Sequence, residues 1–260
     1  MNKIKILFED KNVLALYKPA SIAVHADLYT KKTEKTLTDF ILAHDKSIGK
    51  VGEPMEVEFK GKQVKIIRPG IVHRLDRETS GVLLVAKNKK TFDSLKEQFQ
   101  NHTIKKVYRA FVYGPVTDPR ASLATGGRGV INAPLGRSPV DIRMWTAGRG
   151  ARPPLREATT EYKVLDRFKS GSEGYSYMEV YPRTGRTHQI RVHMRYINHP
   201  VVSDPLYRGD HKLALGMKRL ALHALSITYK EASGETRTIE APLPDDFKAV
   251  LKKYLKRHLA

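Results

Sequence analysis

Residues 71 to 87 read Ile-Val-His-Arg-Leu-Asp-Arg-Glu-Thr-Ser-Gly-Val-Leu-Leu-Val-Ala-Lys. They set one carboxylate, Asp76, between Arg74 and Arg77, immediately before an apolar, β-branched run that has the length of a buried strand. Gly81 marks a tight lead-in to that strand, so Asp76 is expected at its edge, rigidly held. Neighbouring positive charge favours the anion over the neutral acid, which makes Asp76 a poised nucleophile or base. The competing reading of such a residue is a salt-bridge partner or a turn former. A second chemistry-bearing stretch runs from Pro182 to Arg195 and concentrates Arg183, Arg186, His188, Arg191, His193 and Arg195. His188 and His193 lie five apart, about 140° around a helix, so they cannot ligate a metal together as an i, i+4 pair does. With no cysteine and no accompanying acidic pair, no metal site is expected.

The chain as a whole narrows the partner. Its 260 residues carry 47 Lys and Arg against 27 Asp and Glu, a formal charge of +20. Such an excess points to an acidic polymer, with nucleic acid favoured over membrane. The absence of cysteine excludes disulfides and thiolate metal sites and fits a reducing cytoplasm. The first ten residues reach Glu9 and Asp10 after an apolar stretch too short for a signal peptide, and no later run has the length of a bilayer span. A soluble, cytoplasmic protein is the expectation.

The elements that must hold these residues follow in order. Ile4 to Phe8 and Val13 to Tyr17 flank a polar turn and form a hairpin pattern. Thr36 caps a short helix to His44. Residues 45 to 68 are polar and read as a surface excursion. Lys89 to Gln100 places Phe92, Leu95 and Phe99 on one helical face, and Lys105 to Gly114 alternates as a half-buried strand does. Between Arg120 and Arg156, seven arginines are spread among Gly and Pro against the single acid Asp141. Guanidinium forks suit phosphates, so this arginine-rich loop region, about 118–157, is a candidate clamp for a polyanion, with Arg128 and Arg137 as representatives; the alternative is a mobile loop. Ala158 to Leu165 and Tyr175 to Tyr181 are two further strands joined by a Gly- and Ser-rich turn. Thr187 caps a helix from His188 that sets His188, Arg191 and Arg195 on one face. Pro244 to Ala260 is an amphipathic helix with Asp245 and Asp246 at its N-terminus and a stripe of Phe247, Val250, Leu251, Tyr254 and Leu255. No internal repeat or linker divides the chain, and a single domain over 1–260 is expected.

His73 to Gly81 strongly resembles the catalytic signature H-R-L-D-x-x-T-S-G of the RluA-type pseudouridine synthases. Lys106 to Gly114 is similar to that family's K-x-Y-x-A-x-V-x-G, and Thr184 to His193 carries every fixed position of T-G-R-x-H-Q-I-R-x-H. His199 to Tyr207 and Arg219 to Ala224 continue the likeness as H-P-x-x-x-D-x-x-Y and R-L-x-L-H-A. Three departures accompany it: Ser21 stands where Lys-Pro-x-Gly expects glycine, Asn132 where Asp is usual, and the region around Trp145 and Arg149 to Arg156 follows no family pattern. The twelve residues before Val13 are too few for the small S4-type RNA-binding domain of many relatives, so a catalytic domain alone is expected.

The resemblance implies an α+β fold with a mixed, mostly antiparallel central sheet flanked by helices and loops. It implies isomerisation of uridine to pseudouridine in structured RNA, ribosomal or transfer, with base flipping, no cofactor and no obligatory protein partner, the chain acting as a monomer. It assigns Asp76 to the ribose, Tyr108 to the uracil and Arg191 to an ion pair with the catalytic aspartate. Arg74 fills the gap left by the flipped nucleotide. Arg186, His188, Arg128 and Arg137 complete the RNA-facing set, His73 supports the loop, and Leu222 lines the uracil pocket or, equally well, the core. The competing class is a non-catalytic RNA-binding or ribosome assembly factor on the same fold, which would have no need for Asp76, Tyr108 and Arg191 together.

Overall fold

Strands β1 (Lys5–Glu9) and β2 (Val13–Lys18) form the expected hairpin, with Lys5 opposite Tyr17 and a bulge between Ile6 and Phe8. Its turn is closed by Asp10, whose Oδ1 accepts the Asn12 and Val13 N–H groups, each at 2.7 Å. In this computed structural model the described residues are 3–26, 33–59, 62–66, 68–117 and 127–258. Helix α1 (Leu37–His44) begins at the predicted cap: Thr36 Oγ1 accepts the Asp39 N–H, and Asp39 Oδ2 accepts the Thr36 N–H in return, so two donors at the helix start are satisfied reciprocally. The excursion of residues 45–68 holds more structure than its polarity suggests: a 3-10 turn at Lys46–Lys50 that buries Ile48, then the antiparallel pair β3 (Met55–Phe59) and β4 (Lys62–Ile66). Two buried isoleucines, Ile48 and Ile66, lying so far apart in a polar run leave no periodicity to read. Strand β5 (Ser80–Ala86) is buried at every position and pairs antiparallel with β2. Helix α2 (Lys89–Gln100), capped by Asn88, turns Phe92 and Leu95 inward.

Strand β6 (Lys105–Tyr113) opens a second set of elements. It is followed by β7 (Arg128–Asn132), β8 (Leu135–Arg137), β9 (Trp145–Ala147), β10 (Arg152–Arg156), β11 (Thr159–Ser170), β12 (Glu173–Pro182) and α3 (Gln189–Tyr196). The region read as an arginine-rich loop is therefore largely strand from residue 128 onward, with β8, β9 and β10 forming their own sheet in the order β10-β8-β9. Arg120 and the rest of 118–126 lie outside the described residues. The chain then runs through β13 (Leu222–Lys230) and its hairpin partner β14 (Thr236–Glu240) into α4 (Asp245–Tyr254), the core of the predicted C-terminal helix, with a 3-10 turn at Lys256–His258.

These elements form two compact units, Met1–Lys105 with Ser226–Pro242 and Lys106–Leu225 with Leu243–Ala260. Each has its own core. In the first, Val13, Ala15, Val82, Leu84, Phe92, Leu95, Ile227 and Ile239 pack together, and Gln98 of α2 binds Lys230 through both its amide N–H and its carbonyl. In the second, β6, β12, β11 and β7 pair antiparallel in that order. Phe111 stacks on Tyr177 at 4.9 Å and meets Phe247 of α4 at 5.0 Å. The expected α+β class with antiparallel pairing is what folds. Among the described residues no helix is long and apolar enough to cross a membrane.

Candidate active site

In the first unit, the aspartate segment hangs between two fixed points. Ile71 bridges Val85 of β5, and β5 itself starts at Ser80, so Asp76 sits on a short loop whose two ends are anchored to the same strand. The loop is closed by a turn in which the Thr79 N–H donates to the Asp76 carbonyl at 3.1 Å. His73 accepts the Leu84 N–H through Nε2 at 2.9 Å and stacks on Phe99 at 4.8 Å. Leu75 is buried, Asp76 half-buried and Arg74 exposed. Arg77 pairs with Glu34. The most consequential residue here had no role in the sequence reading: Lys18, fully buried at the end of β2, donates to the carbonyls of Pro19, Ile22 and Arg77, each at 2.9 Å. A buried ammonium is tolerated only when its donors are satisfied, and these three bonds tie the segment after β2 to the aspartate loop. Ser21 takes the left-handed conformation at φ 66° that glycine would adopt without strain, and its hydroxyl reaches Glu78 at 3.3 Å.

In the second unit, the helix carrying Arg191 starts one residue later than predicted. His188, not Thr187, is the N-cap; its carbonyl accepts the Val192 N–H, and its own backbone is left-handed at φ 57°, ψ 16°. Helical counting therefore does not place His188 on the face of Arg191 and Arg195. The reason lies in Gln189, whose Oε1 accepts the Thr184 hydroxyl and the Arg186 N–H while its Nε2 donates to Thr159 and Thr160 of β11. That four-bond lock fixes the incoming chain and forces the turn onto His188.

Arg191 is only 4% exposed and forms a bidentate pair with Asp204, which is fully buried, at 2.7 and 2.8 Å. The Asp204 Oδ1 also accepts the Leu206 and Tyr207 N–H groups, so the carboxylate is held from two sides and fixes the guanidinium plane. Tyr207 lies beneath that plane, its ring 4.9 Å from the guanidinium carbon. Its hydroxyl bonds His188 Nδ1 at 2.8 Å and accepts the Trp145 N–H at 2.9 Å. His193 spends both ring nitrogens internally, on Thr160 Oγ1 and the Ala133 carbonyl, and burial pushes its pKa down.

Tyr108 lies half-buried on β6 opposite Val180. Two residues before it, Lys106 donates to the Thr184 carbonyl at 3.2 Å, and burial lowers its pKa to about 8. Arg186 donates to the Glu157 carbonyl at 3.0 Å. Leu222 belongs to the core cluster at 3% exposure. Arg128 is exposed on β7 and Arg137 on β8. Arg137 also lies over the Trp145 ring at 4.6 Å, with Arg156 at 5.7 Å from the same ring. The predicted site residues thus divide into Asp76, His73 and Arg74 in the first unit and Tyr108, Arg186, His188, Arg191, Leu222, Arg128 and Arg137 in the second.

A family model for RNA pseudouridylate synthase matches residues 12–196. The chain belongs to the RNA pseudouridylate synthase family. Among curated relatives of this synthase family, the ribosomal large subunit pseudouridine synthase D of Neisseria meningitidis serogroup A is 38% identical over 94% of the chain and 59% of that protein's length. The uncharacterized RNA pseudouridine synthase YlyB of Bacillus subtilis is 34% identical over 97% of the chain and 73% of its own length. The chain thus spans about three fifths of the Neisseria relative. Human RNA pseudouridylate synthase domain containing 4 has a similar structure, with a TM-score of 0.67 at 25% identity, covering 95% of this chain and 92% of that one. The synthase motifs named Asp204 and Tyr207 as positions without giving them a task; only their hydrogen bonds reveal one. Trp145, in a stretch unlike the family pattern, had no sequence signal beyond being the only tryptophan.

Proposed function

We propose that the chain is a cytoplasmic RNA pseudouridine synthase that isomerises uridine in ribosomal RNA, with Asp76 acting at the ribose. The reaction breaks the N1–C1′ glycosidic bond, turns the uracil and rejoins it through C5, with the C5 proton lost and one returned at N1. No atom is gained and no electron is transferred. Asp76 attacks C1′ or removes the C2′ proton, and either route requires it ionised. Arg191 is its cation, a task for which a guanidinium already fixed by Asp204 and Tyr207 is suited, since a rigid charge loses no orientation energy during reaction. Tyr108 stacks on the uracil and assists removal of the C5 proton. Arg74 occupies the space of the flipped nucleotide, offsetting an unstacking cost of a few kcal/mol. Arg186, His188, Arg128 and Arg137 meet the RNA backbone, where cations and fixed donors position the chain without reading sequence.

What carries this reading is the family match over residues 12–196, which contains Asp76, Tyr108 and Arg191. The choice of ribosomal over transfer RNA leans on the name of the Neisseria relative. Tritium release from RNA labelled at uracil C5 tests both, with large-subunit ribosomal RNA and transfer RNA offered separately to the wild type and to Asp76→Ala. Release from ribosomal RNA that Asp76→Ala loses almost entirely, while its RNA binding is spared, is the expected result. Absence of release from either RNA, with salt-sensitive binding intact, would replace the isomerase by a non-catalytic RNA-binding protein.

A further inference from the structure

The two most exposed large apolar side chains among the described residues, Val140 at 93% and Ile142 at 84%, stand two positions apart on the turn between β8 and β9. A solitary exposed aliphatic group needs no explanation, but this pair sits on a turn that the chain pins down. The Ser138 N–H donates to the Met144 carbonyl at 3.0 Å, and the Met144 N–H to the Asp141 carbonyl at 2.9 Å. Ser138 Oγ accepts the Val140 N–H at 3.2 Å, and Asp141 Oδ1 accepts the Arg143 N–H at 2.9 Å. From the flanking strands, Arg137 donates to the Ile142 carbonyl at 3.0 Å and Arg152 of β10 to the Pro139 carbonyl at 2.9 Å. These bonds order the backbone of the turn from within the chain, yet the two side chains it carries bury almost nothing. The cost of ordering the turn is therefore met before any contact is made.

Resting on the reading of the chain as an enzyme of RNA, we propose that Val140 and Ile142 form a preformed apolar tip that packs against the faces of unstacked RNA bases, while Arg137 and Arg152 hold adjoining phosphates. Charge selects the partner. From Arg128 to Arg156 six arginines accompany one acid, Asp141, and that acid is neutralised by a bidentate bond from Arg143 at 3.0 and 2.6 Å. A guanidinium has five N–H donors; Arg137 and Arg152 each spend one on the turn, which leaves donors beside the tip for phosphate oxygens. Aliphatic side chains set among cations are a recurrent means of holding bases out of a stack, and protein contact with RNA bases falls mainly on those already unstacked. An aliphatic group makes no hydrogen bond to a base edge, so the tip selects unstacked bases over paired ones without choosing among the four.

Filter binding of radiolabelled large-subunit ribosomal RNA, transfer RNA and a fully paired RNA duplex, each across a salt series, tests the proposal. On whichever natural RNA the wild type binds more tightly, Val140→Ser with Ile142→Ser is expected to bind about tenfold more weakly, equivalent to about 1.4 kcal/mol. The slope of log K against log salt is expected to stay the same, because no phosphate contact is lost. Val140→Leu with Ile142→Leu keeps the tip apolar and is expected to bind within about twofold of the wild type. On the duplex, where base faces are stacked away, the serine variant and the wild type are expected to bind equally. Equal affinity of the two on the natural RNA, a flattened slope, or the same loss on the duplex would each overturn the base-packing tip. Vesicles of phosphatidylglycerol that bind the wild type and not the serine variant, with RNA affinity equal, would assign the tip to a lipid surface instead. The assay reads no turnover, so a wild type that binds RNA without isomerising it counts against the isomerase alone, whereas one that binds neither natural RNA overturns the tip as well.

Discussion

At the scale of single residues, the buried pair of Arg191 and Asp204 is the most exacting arrangement in the second unit. Both side chains have left water, at 4% and 0% exposure, and each is tolerated there because the other satisfies it. Removing one partner leaves a buried charge with its main compensation gone, and this outweighs the small volume lost. Asp204→Ala is accordingly expected to lower stability by about 3 kcal/mol in urea denaturation. Lys106 makes a complementary prediction about pH. Its folded pKa is pushed down to about 8 by burial, against about 10.4 in an unfolded chain. Between those values the unfolded state binds more protons, so stability rises as pH rises through that window. Two-odd pKa units correspond to about 3 kcal/mol. Denaturation at pH 7.5 and pH 10 is expected to show about 2 kcal/mol of this gain in the wild type relative to Lys106→Met; parallel behaviour of the two would refute it.

At the scale of elements, what could be read from sequence was what is encoded locally. The β1–β2 hairpin was legible because alternation and the Asp10 turn are neighbours in sequence, and α1 because its capping box spans only Thr36 to Asp39. Helix α4 announced itself through acids at its start and an apolar stripe, and Phe247 sits where that stripe predicted, against Phe111. Phe247→Ala is expected to cost about 3–5 kcal/mol in denaturation, since the cavity opens in the middle of a close-packed core. The strands of residues 128–156 were not legible. Gly and Pro are dense there, the strands are as short as three residues, and β8 finds β10 only across some fifteen intervening positions, so no local pattern marks them. The start of α3 was misplaced for a related reason: Thr187 has the chemistry of a cap, but the Gln189 lock to β11 fixes where the helix begins.

At the scale of the whole molecule, a formal charge of +20 on 260 residues makes salt the natural probe of the RNA binding proposed above. Every phosphate that the protein no longer neutralises reduces the slope of log K against log salt by about 0.7–0.9. Arg128→Ala with Arg137→Ala is expected to weaken binding and reduce that slope by about 1.5, in fluorescence anisotropy from 50 to 300 mM salt. An unchanged slope would remove both arginines from the RNA-facing set.

The sequence by itself determined the family, through motifs whose residue types and spacing are specific. It also determined the hairpin, the caps and apolar faces of the helices, and the strongly basic balance of the chain, because each depends on neighbours along the chain or on sums over it. Only the tertiary structure decided which carboxylate grips Arg191 within its own unit, that Lys18 binds a carbonyl of the aspartate loop, and that Tyr207 joins His188 to Trp145. Those bonds link residues 13, 59, 19 and 62 positions apart. Pairings at such separations leave no period in the sequence; they are set by which strands and turns pack together, and by the cost of leaving any buried donor or acceptor unsatisfied.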